Sequence, residues 1–186
     1  MTKTQLRNDA LLLRHSYAQA LWTETRKALE DQLARIVLPR LIGARIVAGY
    51  HPMRDEISPY PILDGLGEGQ KPALPWFGDR DARMMFRAAP ATDIGPWKVL
   101  QPPPTAEVVA PDTVLVPLVL GDRHGNRIGH GKGHYDRALA HLRDGNAVRT
   151  IGLAWEPQIR AEPLPADPWD IPLDAIATPQ EWIDCR

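Results

Sequence analysis

The chain has 186 residues, 44% of them hydrophobic and 24% charged, with a formal net charge of −1. That length suits one domain with a real core and is short for two, and the near-neutral balance excludes a whole-protein field that would draw in nucleic acid or an anionic membrane. No run approaches the roughly 20 apolar residues of a membrane-spanning helix, and the single cysteine, Cys185, excludes an internal disulfide and any CxxC metal pattern.

The opening residues are polar and carry no signal-peptide-like apolar run, so a reducing, cytoplasmic setting is expected. From Thr4 to about Leu38 the spacing predicts helix. Leu6, Ala10, Leu13, Tyr17, Ala20 and Leu21 recur three or four residues apart, and Leu29, Leu33, Ile36 and Val37 continue the stripe. This is one long helix or two with a break, stopped by Pro39. Ala44–Tyr50 is a short apolar strand. Ser58 and Pro59 read as N-cap and first turn of a brief helix that Gly65, Gly67 and Gly69 close. Pro72–Trp76 and Met84–Ala88 are two further short strands, and the proline-rich segment Ala89–Pro111 is a surface loop. Thr113–Val119 is apolar nearly throughout, as expected of a strand buried on both faces, with Pro117 at its end or at a bulge. Tyr135–Leu142 is helical, Thr150–Trp155 a buried strand and Asp174–Ala177 a last short one. Strands alternating with helices predict a three-layer α/β/α fold with a mostly parallel central sheet.

Between the Thr113 strand and the Tyr135 helix stand Gly125, Gly129, Gly131 and Gly133, interleaved with Arg123, His124, Arg127, His130, Lys132, His134 and Arg137. In an open α/β sheet this loop lies beyond the carboxyl end of a strand, where ligands bind. Glycines let backbone N–H groups turn toward an anion, the next helix adds its positive end, and Arg and Lys supply charge. The loop is not a Walker A motif, since Asn126 and Gly133 both break it, and Gly129-x-Gly131-x-x-His134 misses the dinucleotide fingerprint. Spacing alone supports an unspecified anion site somewhat above a solvated basic loop.

Taken together, Asp122-Arg-His-Gly-Asn-Arg-Ile-Gly-His-Gly-Lys-Gly-His-Tyr-Asp136, Lys3-x-x-Leu6-Arg7, Asp55-Glu56-Ile57, Ile151-Gly-Leu-Ala-Trp155 with Gln158, Leu164-Pro165 and Asp170-Ile-Pro-Leu-Asp174 resemble the 5-formyltetrahydrofolate cyclo-ligases, in order and over nearly the whole chain. His130 stands where that family commonly has Arg, His134 where it has the first Tyr, Trp169 where it often has His, and Gln101 where it has Glu. The resemblance implies a single domain over residues 1–186 that converts 5-formyltetrahydrofolate and ATP to 5,10-methenyltetrahydrofolate, ADP and phosphate, through attack of the formyl oxygen on the γ-phosphate to give an iminium phosphate. It further implies magnesium, a small-molecule folate substrate, no nucleic-acid or membrane partner, and a monomer or weak homodimer.

The roles it implies fall on named residues. Arg127 and Lys132 are expected to contact phosphate, with Ile128, Gly129, His130, Gly131, Gly133 and His134 around them and Tyr135 stacking or hydrogen-bonding. Lys3 and Arg7, on one helix face, reach the nucleotide. Trp155, at the end of a strand, is read from that position as a pocket wall rather than core packing. Glu56 and His51, with His130 and His134, face the folate, where a carboxylate pairs with the amino and N–H donors of the pterin. Asp136 and Asp170 are the magnesium candidates. Without the resemblance, Lys3 and Arg7 read as solvated surface, Glu56 as a loop acid and Asp136 as a first-turn helix acid. Trp22, Trp76, Trp97 and Trp182 are assigned to packing, and His15, His124 and His141 lack metal-ligand spacing. Competing readings are an ATP-dependent paralogue acting on another formylated substrate, a non-catalytic folate or nucleotide binder, and, on fold alone, a sugar-phosphate isomerase.

Overall fold

The structure, a computed structural model, describes residues 1–185; Arg186 lies outside the described residues. Thr2 caps the first helix, α1 (Lys3–Ala20), by a reciprocal box: its hydroxyl accepts from Gln5 N–H, and Gln5 Oε1 accepts from Thr2 N–H at 2.8 Å. The chain becomes extended at Leu21 and Trp22, then re-enters helix as α2 (Thr23–Val37), so the long amphipathic stretch is two helices. Pro39 lies in the 3-10 turn Leu38–Leu41 that follows.

On α1 the buried stripe is Leu6, Ala10, Arg14 and Ala18, whereas Leu13, expected inside, is 48% exposed. A period of 3.6 admits position 13 or 14 after position 10. Apolarity alone favours Leu13; the fold favours Arg14 because a buried carboxylate, Glu56, lies 3.6 Å from its guanidinium.

The remaining elements follow as β1 (Ile46–Ala48), α3 (Tyr60–Asp64), β2 (Lys71–Trp76), β3 (Met85–Ala88), β4 (Asp93–Ile94), β5 (Leu100–Gln101), β6 (Thr113–Pro117), β7 (Leu120–Asp122), β8 (Arg127–Ile128), α4 (His134–Leu142), β9 (Arg149–Leu153), β10 (Ile159–Arg160), β11 (Ala175–Ala177) and β12 (Trp182–Asp184). Helix α3 starts one residue later than the sequence suggests: Pro59 is its cap, and Ser58 Oγ accepts from Tyr60 N–H at 3.2 Å. The proline-rich segment is not wholly irregular, since β4 and β5 pair antiparallel within it. Pro117 closes β6, where a missing N–H costs least.

Seven strands form the main sheet in the order β12-β11-β9-β6-β1-β2-β3. The five inner strands are parallel, and β3 and β12 run antiparallel at the edges. Strand β6 shows why its sequence is continuously apolar. Leu115 packs on one face with Leu33 and Val37 of α2 and Ile62 of α3; Val114 and Val116 pack on the other with Ala138 and Leu139 of α4. The chain runs from β1 to β2 on one side, then returns past β1 to β6 and continues outward through β9 and β11. Loops leaving β1 and β6 therefore diverge and open a crevice at their carboxyl ends.

A second, three-stranded sheet, β10-β7-β8, shapes the far wall of that crevice. The β7–β8 turn is held by Asp122, which is fully buried. Its Oδ1 accepts from the N–H groups of His124 and Asn126 at 2.8 and 3.0 Å, and its Oδ2 from Asn126 Nδ2 and Leu164 N–H at 2.8 and 2.7 Å. Gly125, at φ +84°, completes the turn so closely that a Cβ would lie 2.4 Å from the Leu173 carbonyl oxygen. Gly125→Ala is expected to lower stability by about 2 kcal/mol or more, read as a reduced urea midpoint with an unchanged m-value.

Candidate active site

Leu6 and Ala10 pack against Val119, Leu120, Ile128 and Leu164, which lays α1 beside the loop that follows β6. The flank of α1 bearing Lys3 and Arg7 then faces a cleft of about 890 Å³ at the β1/β6 crevice. The segment after β1 supplies Tyr50, His51 and Glu56 to one wall, and residues 127–137 supply the other.

The glycine loop is braced from below. Arg7 Nε donates to the Gly129 carbonyl at 2.7 Å, and Gly131, at φ +85°, lets the backbone pass where a Cβ would lie 3.3 Å from the Arg7 guanidinium carbon. Ile128 is buried with Leu6, and its carbonyl accepts from Val119 N–H at 2.9 Å. Gly133 caps α4, so the positive end of that helix faces the loop. Lys132 is exposed, with its Nζ 5.9 Å from the Trp97 ring centre.

Several charged groups of the cleft are paired with one another. Arg127, nearly buried, donates through both terminal nitrogens to Asp136 Oδ1 at 3.1 and 2.9 Å. Ile171 N–H reaches the same oxygen at 3.4 Å. Lys3 Nζ bridges Asp167 and Asp170, 2.5 Å from an oxygen of each. Burial works to lower the Lys3 pKa, but the two hydrogen bonds and the two negative charges raise it above the ordinary value. For Asp170 burial pushes upward and is outweighed by the Asp167 N–H and the Lys3 ammonium, so its pKa falls below the ordinary value.

Glu56 is the most enclosed acid of the cleft, 3% exposed. Its Oε2 accepts from Met53 N–H at 2.9 Å, and its Oε1 lies 3.2 Å from His130 Nε2 and 3.6 Å from Arg14. Arg14, 4% exposed, makes one further long bond, 3.5 Å to the Leu118 carbonyl, and its Nε has no partner. A buried carboxylate of this kind is tolerable only with a cation beside it. The Tyr135 phenol, half-buried nearby, is raised in pKa by burial and by the Glu56 charge, with Arg127 acting in the opposite sense. It stays protonated at neutral pH. His51 Nδ1 lies 3.0 Å from Tyr60 Oη.

His134 enters an aromatic niche, edge-on to Phe77 at 4.9 Å and tilted to Trp97 at 5.6 Å between ring centres. Gln101 fixes that niche by pairing with both the N–H and the carbonyl of Phe77 at 3.1 Å; a glutamate there has no donor for the carbonyl. Burial, then the charges of Arg137 and Lys132, lower the His134 pKa below 6.5.

Two expectations need correction or refinement. Trp155 is fully buried in the core against Tyr17 and does not wall the cleft; its indole N–H donates to the Asp55 carbonyl at 2.8 Å, next to Glu56. Trp97, assigned to packing, lines the cleft instead. Among the described residues, no group of three or more His, Cys, Asp or Glu is placed to hold a metal ion. Asp136 and Asp170 can offer one carboxylate each, a set that fits magnesium only when phosphate oxygens and water complete the shell. Arg14 escaped the sequence reading. The signal was present in the i+4 series Leu6, Ala10, Arg14, Ala18, where a charge interrupts an otherwise apolar stripe.

A doubly wound sheet brings a cation-rich glycine loop and a buried acid together at its switch point. The sequence matches the model of the 5-formyltetrahydrofolate cyclo-ligase family over residues 1–179. A protein named 5-formyltetrahydrofolate cyclo-ligase from Mycolicibacterium smegmatis is 30% identical over 193 residues, covering 98% of this chain and 96% of that one. One of the same name from Escherichia coli K12 is 29% identical over 178 residues, covering 88% and 97%. The solved 5,10-methenyltetrahydrofolate synthetase of Aquifex aeolicus superposes with a TM-score of 0.82 at 28% identity, covering 100% of this chain and 94% of that one. The chain belongs to the 5-formyltetrahydrofolate cyclo-ligase family.

The His134 niche has a pH signature. The unfolded chain takes up this proton near pH 6.5 and the folded site only below that. Its contribution to stability is therefore complete above pH 6.5 and shrinks as the pH falls further. An NMR titration of the imidazole C–H signals is expected to place His134 below 6.5, with Arg137→Gln moving the midpoint upward.

Proposed function

We propose that this protein converts 5-formyltetrahydrofolate to 5,10-methenyltetrahydrofolate with consumption of ATP and release of ADP and phosphate. The observation that carries the reading is the meeting of two unlike subsites in one cleft. A cation-rich glycine loop suited to phosphates and a buried carboxylate suited to the N–H donors of a pterin touch through the 3.2 Å contact of His130 and Glu56.

The chemical obstacle is that a formamide oxygen is a poor leaving group. In the proposed reaction that oxygen attacks the γ-phosphorus, a P–O bond forms, and the bond to ADP breaks. Folate N10 then adds to the activated carbon, its proton departs, and phosphate leaves with the C–O electron pair. The chain's task is to align three partners and to stabilise charge on the transferring phosphoryl group. Lys132 and Arg127, with the N–H groups of residues 129–133, are assigned to that charge, and Lys3 and Arg7 to the nucleotide from the α1 side. Glu56 orients the pterin, with His51 and the neutral Tyr135 and His134 as further contacts. Magnesium, where bound, screens phosphate charge; Asp136 and Asp170 are the carboxylates that would hold it.

Incubating the protein with 5-formyltetrahydrofolate, magnesium and ATP, and following the near-ultraviolet absorbance of the methenyl product, tests the proposal. ATP-dependent growth of that absorbance is expected, together with loss of turnover on chelating magnesium. Nucleotide binding with no product would instead leave a non-catalytic binder. Lys132→Ala is expected to lower kcat/KM by about 100-fold with the thermal transition unchanged. Glu56→Gln is expected to raise the folate KM by about tenfold with a smaller change in kcat, since one charge-assisted hydrogen bond is exchanged for a neutral one.

A further inference from the structure

Resting on that reading of the cleft, one contact deepens it. Both oxygens of Glu56 are occupied: Oε2 by Met53 N–H at 2.9 Å, and Oε1 by His130 at 3.2 Å, with Arg14 at 3.6 Å. Met53 N–H belongs to the backbone of the same turn, and Arg14 is locked in the core at 4% exposure. His130 differs from both. Its side chain is 42% exposed and it stands on the glycine loop, between Gly129 and Gly131. Because an ionised carboxylate only accepts, Nε2 carries the proton of this contact, and Nδ1 is left for a second partner.

We infer that His130 is a displaceable cap on Glu56 and couples the two halves of the site. Without ligand, the imidazole covers the carboxylate oxygen that a pterin N–H or amino donor must reach. A folate that takes this oxygen releases His130 to the loop, where its ring N–H can donate to nucleotide phosphate oxygens. Phosphates that draw His130 into the loop uncap Glu56 in turn. The two ligands then assist each other by the same factor, as linkage requires. Removing the imidazole acts in opposite directions on the two subsites. The folate loses a competitor for Glu56, whereas the nucleotide loses a donor.

Calorimetric titration of the intact protein with 5-formyltetrahydrofolate and with a non-hydrolysable ATP analogue, each alone and each with the other saturating, tests this coupling. For the wild-type chain each ligand is expected to bind about tenfold more tightly when the other is present. For His130→Ala, 5-formyltetrahydrofolate alone is expected to bind several-fold more tightly than to wild type, the analogue several-fold more weakly, and the coupling factor to fall to about one. Undiminished coupling in His130→Ala, or weaker folate binding by it, overturns the inference while leaving the proposed activity intact. Failure of the wild-type chain to bind 5-formyltetrahydrofolate at all removes the proposed function and the coupling together.

Discussion

A carboxylate in the interior sets the terms for the rest of the cleft. Glu56 can occupy its wall because Arg14 comes up beside it from α1, and Arg14 is there because Leu6 and Ala10 fasten that helix over the β7–β8 sheet. Apolar packing thus delivers a cation to a place that packing alone would never choose. Isolating either charge at this depth costs several kcal/mol, so helix position and acid position are one decision. Tyr135 and His130, from the opposite wall, complete the polar surroundings of the same acid.

The glycine loop is held from several sides. Asp122 holds it at one end by collecting four hydrogen bonds from three residues and tying the β7–β8 turn to Leu164. Arg7 holds it in the middle through the Gly129 carbonyl, and α4 takes over at Gly133.

Two cations of the cleft are held by carboxylates. Arg127 is paired with Asp136, and Lys3 with Asp167 and Asp170. Each pairing offsets the desolvation of both partners and keeps each side chain ordered. The same pairing explains the depressed Asp170 and raised Lys3 pKa values. The aromatic niche of Phe77, Trp97 and His134 does the opposite: it keeps an imidazole neutral beside two cations.

Much of this was legible in order of residues. The α/β alternation followed from apolar runs with helical stretches between them, and the doubly buried β6 from its lack of polar positions. The place of the glycine- and cation-rich loop followed from its position after that strand, since local conformation and charge are properties of a segment. The strands β7, β8, β10 and β12, two or three residues each, were not legible, because pairs so short exist only through their partners. Nor was the inward turn of Arg14, which helical period leaves undetermined and the distant Glu56 decides. Trp155 was misplaced for the same reason: a strand end can face core or cleft, and only the packing of Tyr17 and the Asp55 carbonyl settles it. By itself, then, the sequence determined which segments are helix, inner strand and glycine-rich loop. The tertiary structure alone decided which charges meet, because Glu56, Arg14 and His130 come from three separate segments and their energies depend on contact rather than on neighbours in the chain.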